Sequence, residues 1–128
     1  MIDIIGAPFD LCGQERGSSL GPGALRIAGL EEALLELKQD CRDLGDLPMA
    51  RRLDAEGLRN FEPLMQTLRA LKAKVGESFE QGSLPLVLGG EHTLAIGGIA
   101  AALERFDGDL TVLWLDAHAD LNTPAVSP

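Results

Sequence analysis

Short apolar runs alternate along this chain with longer stretches of helical spacing, the pattern of βαβ units whose parallel sheet is covered on both faces. Residues 2–6 are the first run, β-branched and closed by Gly6-Ala7-Pro8, and predict a strand followed by a loop over 9–21. Pro22 suits the first turn of a helix, where its missing N–H has no partner to lose. Leu25, Ala28, Leu30, Ala33, Leu34 and Leu37 recur at helical spacing and predict one helix over 24–37, with Glu31, Glu32, Glu36 and Lys38 facing water. A weaker strand is expected at 41–44, before Gly45-Asp46-Leu47-Pro48 turns the chain.

The second half repeats the alternation. Phe61, Leu64, Met65, Leu68, Leu71, Val75 and Phe79 trace one face of a helix that ends near Gly82, and a stripe of this kind is read as core. The continuous apolar run at 85–88 suits a third strand buried in a parallel sheet. Thr93 is placed to cap a helix over 94–106, whose small and apolar residues run nearly all round and predict that it is buried. Thr111-Val112-Leu113-Trp114-Leu115 reads as a fourth strand. With no internal repeat and no linker, residues 1–128 are expected to form a single α/β domain.

Composition narrows the function classes. Hydrophobic residues at 45% and charged residues at 24% are ordinary for a globular domain and speak against a disordered chain. The 20 acidic residues against 11 basic ones give a net charge of −9, which disfavours nucleic acid and anionic membrane surfaces as partners. An acidic excess scattered over several segments also serves plain solubility. Cys12 and Cys41 lack the CxxC spacing of a zinc or redox site and read as reduced thiols in a cytoplasmic protein. No basic stretch precedes a long apolar one, and no apolar run approaches the ~18 residues of a membrane span.

Chemistry gathers at two strand ends. The chain has 2 histidines, and each follows a predicted buried strand: His92 after Leu88-Gly89-Gly90-Glu91, His118 within Asp116-Ala117-His118-Ala119-Asp120. Ligands of open parallel sheets bind at the carboxyl ends of the strands. Alternate residues of extended chain share a face, so Asp116, His118 and Asp120 are set to offer oxygen, nitrogen and oxygen to one centre. Mixed carboxylate and imidazole donors suit manganese, iron or zinc better than magnesium, calcium or copper(I). The competing reading makes His92 an ordinary hydrogen-bonding loop residue and Gly89-Gly90 a tight turn. For Asp-x-His-x-Asp the metal reading is the stronger one, because three ionisable groups at a strand end are costly unless paired or bound to a cation.

Gly89-Gly90-Glu91-His92-Thr93-Leu94-Ala95-Ile96-Gly97, with Asp116-Ala117-His118-Ala119-Asp120-Leu121-Asn122-Thr123-Pro124, resembles the two amino-terminal signature motifs of the ureohydrolases, arginases in particular. Gly6-Ala7-Pro8-Phe9, the Gly21-Pro22 with Leu25-Arg26 pattern and Gly45-Asp46-Leu47-Pro48 are also similar to arginase segments, so the resemblance runs along nearly the whole chain. It implies a three-layer α-β-α fold with a mainly parallel sheet, here with about four strands. It further implies a binuclear manganese site that hydrolyses L-arginine to L-ornithine and urea. By the same resemblance His92, Asp116 and Asp120 match ligands of one Mn2+, and Asp116 and His118 match ligands of the other. Asp120 also positions the attacking hydroxide, Asn122 contacts the substrate carboxylate, and Ser127 falls at a further hydroxyl contact. Glu91 stands where animal arginases more usually carry aspartate, at a position that is not a principal ligand.

Full members of that family are more than twice this length. A Ser-Gly-Asn-x-His-Gly segment and an Asp-x-Asp-x-x-Asp-Pro motif with two further carboxylate ligands are absent from these 128 residues. The chain is therefore expected to represent the amino-terminal part of an arginase-like domain. The family places its third and fourth strands apart in the sheet, which leaves the fourth without a neighbour here. Two divalent ions bring about +4 against −2 from Asp116 and Asp120, so at most one weakly held metal ion is expected. The resemblance leaves two alternatives: a sibling hydrolase of agmatine, guanidinobutyrate or formiminoglutamate, and a non-catalytic metal-binding fragment or half of a split protein. A homo-oligomer or a complementary carboxy-terminal chain is the partner class to expect.

Overall fold

The computed structural model describes residues 1–13, 15–53, 59–118, 120 and 123. Among these, strands β1 (Ile2–Ala7), β2 (Cys41–Asp46) and β3 (Leu84–Gly89) form a parallel sheet in the order β2-β1-β3. Helices α1 (Gly21–Ile27) and α2 (Leu30–Glu36) lie between β1 and β2, α3 (Phe61–Glu80) between β2 and β3, and α4 (Ala95–Arg105) follows β3. The α/β class read from the alternating pattern is the one observed.

The period of two along β1 sorts the layers. Asp3, Ile5 and Ala7 share one face, and Ser78 of α3 donates a hydrogen bond to Asp3 at 2.9 Å, so α3 covers that face. Gly6 lies on the other, where an added Cβ would stand 1.8 Å from an Asp46 oxygen and 3.2 Å from the Arg26 guanidinium of α1. Sheet and helices thus make three layers. The core gathers on the α3 side, from Ile5, Ala7, Phe9, Leu68, Leu71, Val75, Leu94 and Ala101. Leu71 is fully buried, as its place in the predicted stripe requires, whereas Phe61 at the start of α3 is 50% exposed.

Several expectations are corrected. The helix predicted over 24–37 is two helices, because Gly29 takes a φ of 91° and its N–H closes onto Arg26 O at 3.0 Å, a turn that favours glycine. Its apolar stripe covers little: Leu30 and Leu34 are half-buried, and Leu25 and Leu37 are exposed. Thr93 does not cap α4 but lies inside a single 3-10 turn, His92–Leu94, that precedes it. Nor is α4 buried all round. Gly97 and Ala101 face the core, with an added Cβ at Gly97 only 3.0 Å from Leu68 O of α3, while Ile96 and Leu103 are exposed. Residues 111–115 are irregular rather than a fourth strand, with Leu113 and Leu115 82% and 89% exposed. A strand is stabilised by the ladder to its neighbour, and none of the described residues lies beside this segment in the sheet.

Three carboxylates fasten the loops and sheet. Burial pushes the Asp3 carboxyl up, but hydrogen bonds from Ser78 and Arg42 more than offset this and hold it below the usual carboxylate range. Asp10 is likewise buried, and the Gly17 N–H at 2.9 Å, Ser19 at 2.8 Å and Arg16 at 2.8 Å lower it against the effect of burial. Asp43 is lowered chiefly by the Arg26 guanidinium. A folded-state pKa below the unfolded one contributes stability above the ordinary carboxylate pKa, and that stability is lost as pH falls through the folded value. Urea midpoints are therefore expected to stay level from pH 7 to about 5 and to fall steeply below about pH 4. A midpoint unchanged at pH 3 would show that these contacts contribute nothing net.

Candidate metal centre

The site is built where β1 and β3 end side by side. Gly90 N–H donates to Ala7 O at 3.2 Å and Glu91 N–H to Phe9 O at 3.0 Å, so the turn after β3 is stitched to the loop after β1. Only glycine fits at position 90, where a Cβ would stand 2.0 Å from Phe9 O. His92 opens the 3-10 turn that follows, and its ring meets Trp114 edge to face at a centroid distance of 6.3 Å.

The second segment of the site is the irregular stretch 111–118, with Asp120 beyond it. Donor atoms of His92, Asp116 and Asp120 all lie within 4.8 Å of one another, on exposed residues. His92 Nδ1 is 3.7 Å from Asp120 Oδ2. This set fits one divalent ion: an imidazole nitrogen and two carboxylate oxygens at the carboxyl edge of a parallel sheet, with −2 of ligand charge. Asp120 has a φ of 50°, a left-handed conformation that aspartate tolerates better than most residues.

His118 is not in that group. Its backbone N–H donates to Asp116 Oδ1 at 2.7 Å and its Nδ1 is 3.1 Å from the same oxygen, a local turn closed by the aspartate side chain. The His118 side chain is 83% exposed. That N–H holds the Asp116 carboxyl below the usual carboxylate range. The shared face expected for Asp116, His118 and Asp120 needs extended chain, and the bend at 117–118 removes it. Asn122 and Ser127 lie outside the described residues.

Two participants were not read from the sequence. The pattern places Trp114 in a strand interior, and nothing in its neighbourhood signals a contact with a histidine twenty-two residues earlier. The sequence marks Glu91 only as a position that is not a principal ligand, and its partners are the backbone N–H groups of Cys12 and Gly13, nearly eighty residues away. A hollow of about 300 Å³ lies beside His92, walled by Cys12, Gly13, Ser18 and Glu91.

Comparison with known proteins bears on the family and the fold. A profile of the arginase family matches residues 1–128. The chain is 43% identical to the arginase of Bacillus caldovelox over 99% of its own length and 44% of that protein's, and 45% identical to human arginase-1 over 96% and 39%. It superposes on the crystal structure of arginase from Bacillus subtilis with a TM-score of 0.88 and 42% identity, covering 99% of this chain and 43% of that one. The chain thus spans less than half the length of the relatives it matches. With a matching profile from end to end, arginase-like layers and a histidine-aspartate cluster where the strands end, this chain belongs to the arginase family.

Proposed function

We propose that this chain is the amino-terminal part of a manganese-dependent, arginase-type hydrolase of L-arginine, with residues 1–128 folding as one α/β unit. The observation that carries the reading is the convergence of His92, Asp116 and Asp120 in a member of the arginase family. Bound manganese would lower the pKa of water and so supply a nucleophile for the guanidinium carbon. The chain's own residues have distinct tasks. His92, Asp116 and Asp120 hold the ion, Asp120 also orients the water, and His118 extends the donor set from the Asp116 side. Asn122 is assigned to the amino-acid carboxylate and Ser127 to a further hydroxyl contact.

Charge limits what these residues hold unaided. Asp116 and Asp120 balance one ion of charge about +2, whereas a second would leave the site about +2 in excess in partly solvated surroundings. The 128-residue chain is therefore expected to bind at most one Mn2+ and to release no urea by itself. Urea release from L-arginine is expected when it is mixed, as a complementary chain, with the carboxy-terminal portion of a bacterial arginase that it does not span. Metal counting and urea assay on the same samples, with His118→Ala as control, test this. Two ions on the isolated chain would overturn the charge argument. Preference for agmatine over L-arginine in the mixture would overturn the substrate, and no urea from any guanidino compound would leave a non-catalytic metal-binding segment.

A further inference from the structure

We propose that Glu91 is a positioning residue: its carboxylate latches the loop after β1 to the turn after β3 and thereby sets the direction of His92. The proposal rests on the reading of His92 as a metal ligand. Glu91 accepts from Gly13 N–H at 2.6 Å and from Cys12 N–H at 2.9 Å through one oxygen, with its other oxygen 3.2 Å from Cys12 N. Thr93 Oγ stands 3.4 Å from that second oxygen. Both carboxylate oxygens thus face donors of the protein, so Glu91 works through backbone N–H groups rather than as a ligand. Charged acceptors make the stronger hydrogen bonds.

His92 needs such an anchor. Its side chain is 58% exposed, meets the edge of Trp114 and lies 3.7 Å from Asp120. Both neighbours lie at 114–120, where none of the described residues is in the sheet. On the other side of the site, the backbone leading into His92 is bonded at Gly90 to Ala7, at Glu91 to Phe9, and through the Glu91 carboxylate to Cys12 and Gly13. Ala7 and Phe9 are buried in the core. The direction of the imidazole is consequently inherited from β1 through this seam, and Glu91 is the side chain that closes its outer end.

Glu91→Gln keeps the shape but removes the charge and turns one acceptor into an amide donor that opposes an N–H. Glu91→Asp keeps the charge on a stem one methylene shorter. The 128-residue chain is to be studied by amide hydrogen exchange, with Ile4–Ala7 amides as the internal reference for folding, and by Mn2+ titration followed through water-proton relaxation. In Glu91→Gln, exchange at Cys12 and Gly13 is expected to rise roughly tenfold relative to that reference. Mn2+ affinity is expected to fall at least about tenfold, with part of both effects recovered in Glu91→Asp. His92→Ala should lose Mn2+ while Cys12 and Gly13 stay protected. Faster exchange with unchanged affinity would make the latch purely structural, and weaker affinity with unchanged exchange would make Glu91 a through-space charge; either overturns the proposal. Failure of the unsubstituted chain to bind Mn2+ would instead overturn the metal reading and the proposal with it.

Discussion

Gly90→Ala is expected to cost about 3 kcal/mol or more, at the upper end of what one added methyl does in a packed region. The new Cβ would stand 2.0 Å from Phe9 O, 2.9 Å from Phe9 C and 3.0 Å from Phe9 N. All three are backbone atoms, and Phe9 O also accepts the Glu91 N–H, so relief by a side-chain rotation is excluded. Either the turn moves away from β1 and its seam opens, or the loop after β1 is displaced along with the buried Phe9 ring. Gly98→Ala is the matched control. Its Cβ meets nothing within 4 Å, and alanine for glycine inside a helix is worth up to about 1 kcal/mol. Thermal unfolding followed by circular dichroism should place the two variants on opposite sides of the parent, Gly90→Ala lower by on the order of 10 °C. Equal midpoints would show that the loop after β1 yields freely and that the seam does not hold the site.

Asp116→Ala is expected to abolish measurable Mn2+ binding, a loss beyond about 100-fold, since even outer-shell partners of metal ligands cost 10–100-fold when removed. Asp116 supplies one of the two negative charges in the cluster and also holds the turn to His118 through its 2.7 Å bond from the His118 N–H. Both donor geometry and local backbone therefore depend on one carboxylate. His118→Ala keeps the cluster of His92, Asp116 and Asp120 and retains the backbone bond, so its effect on the first ion should be under tenfold. Titration of the two variants by water-proton relaxation separates the roles. If His118→Ala loses the ion as completely as Asp116→Ala, then His118 swings into the first metal's sphere and the three-residue cluster is not the binding arrangement.

Periodicity made the regular elements legible. β1, β3 and α3 were read within one or two residues because a buried parallel strand is continuously apolar and a half-buried long helix carries a stripe. The pattern predicts a single helix over 24–37 where there are two, because helical spacing continues in phase across Gly29 and a stripe of leucines does not report the φ of the glycine inside it. Thr93 reads as a cap for a similar reason: the side chain is of the right type, but the chain has already begun a 3-10 turn at His92. The strand expected at 111–115 has the composition of a strand but no neighbour among the described residues, and no local pattern shows which segments lie side by side.

The sequence by itself determined the α/β alternation, the strand ends as the place for chemistry, and the residue types that meet there, because burial and donor chemistry are properties of residues and their spacing. Only the tertiary structure decided which of those residues converge. His92 comes to Asp116 and Asp120 across a fold, while His118, two residues from Asp116, turns aside. Only the tertiary structure, too, gave Glu91 its partners, since a carboxylate chooses among backbone N–H groups by proximity after β1 and β3 have paired. Contacts made through space at separations of twenty to eighty residues leave no period in the chain, and this is the physical reason candidate donors can be named from the sequence while their geometry, and a neighbour such as Trp114, cannot.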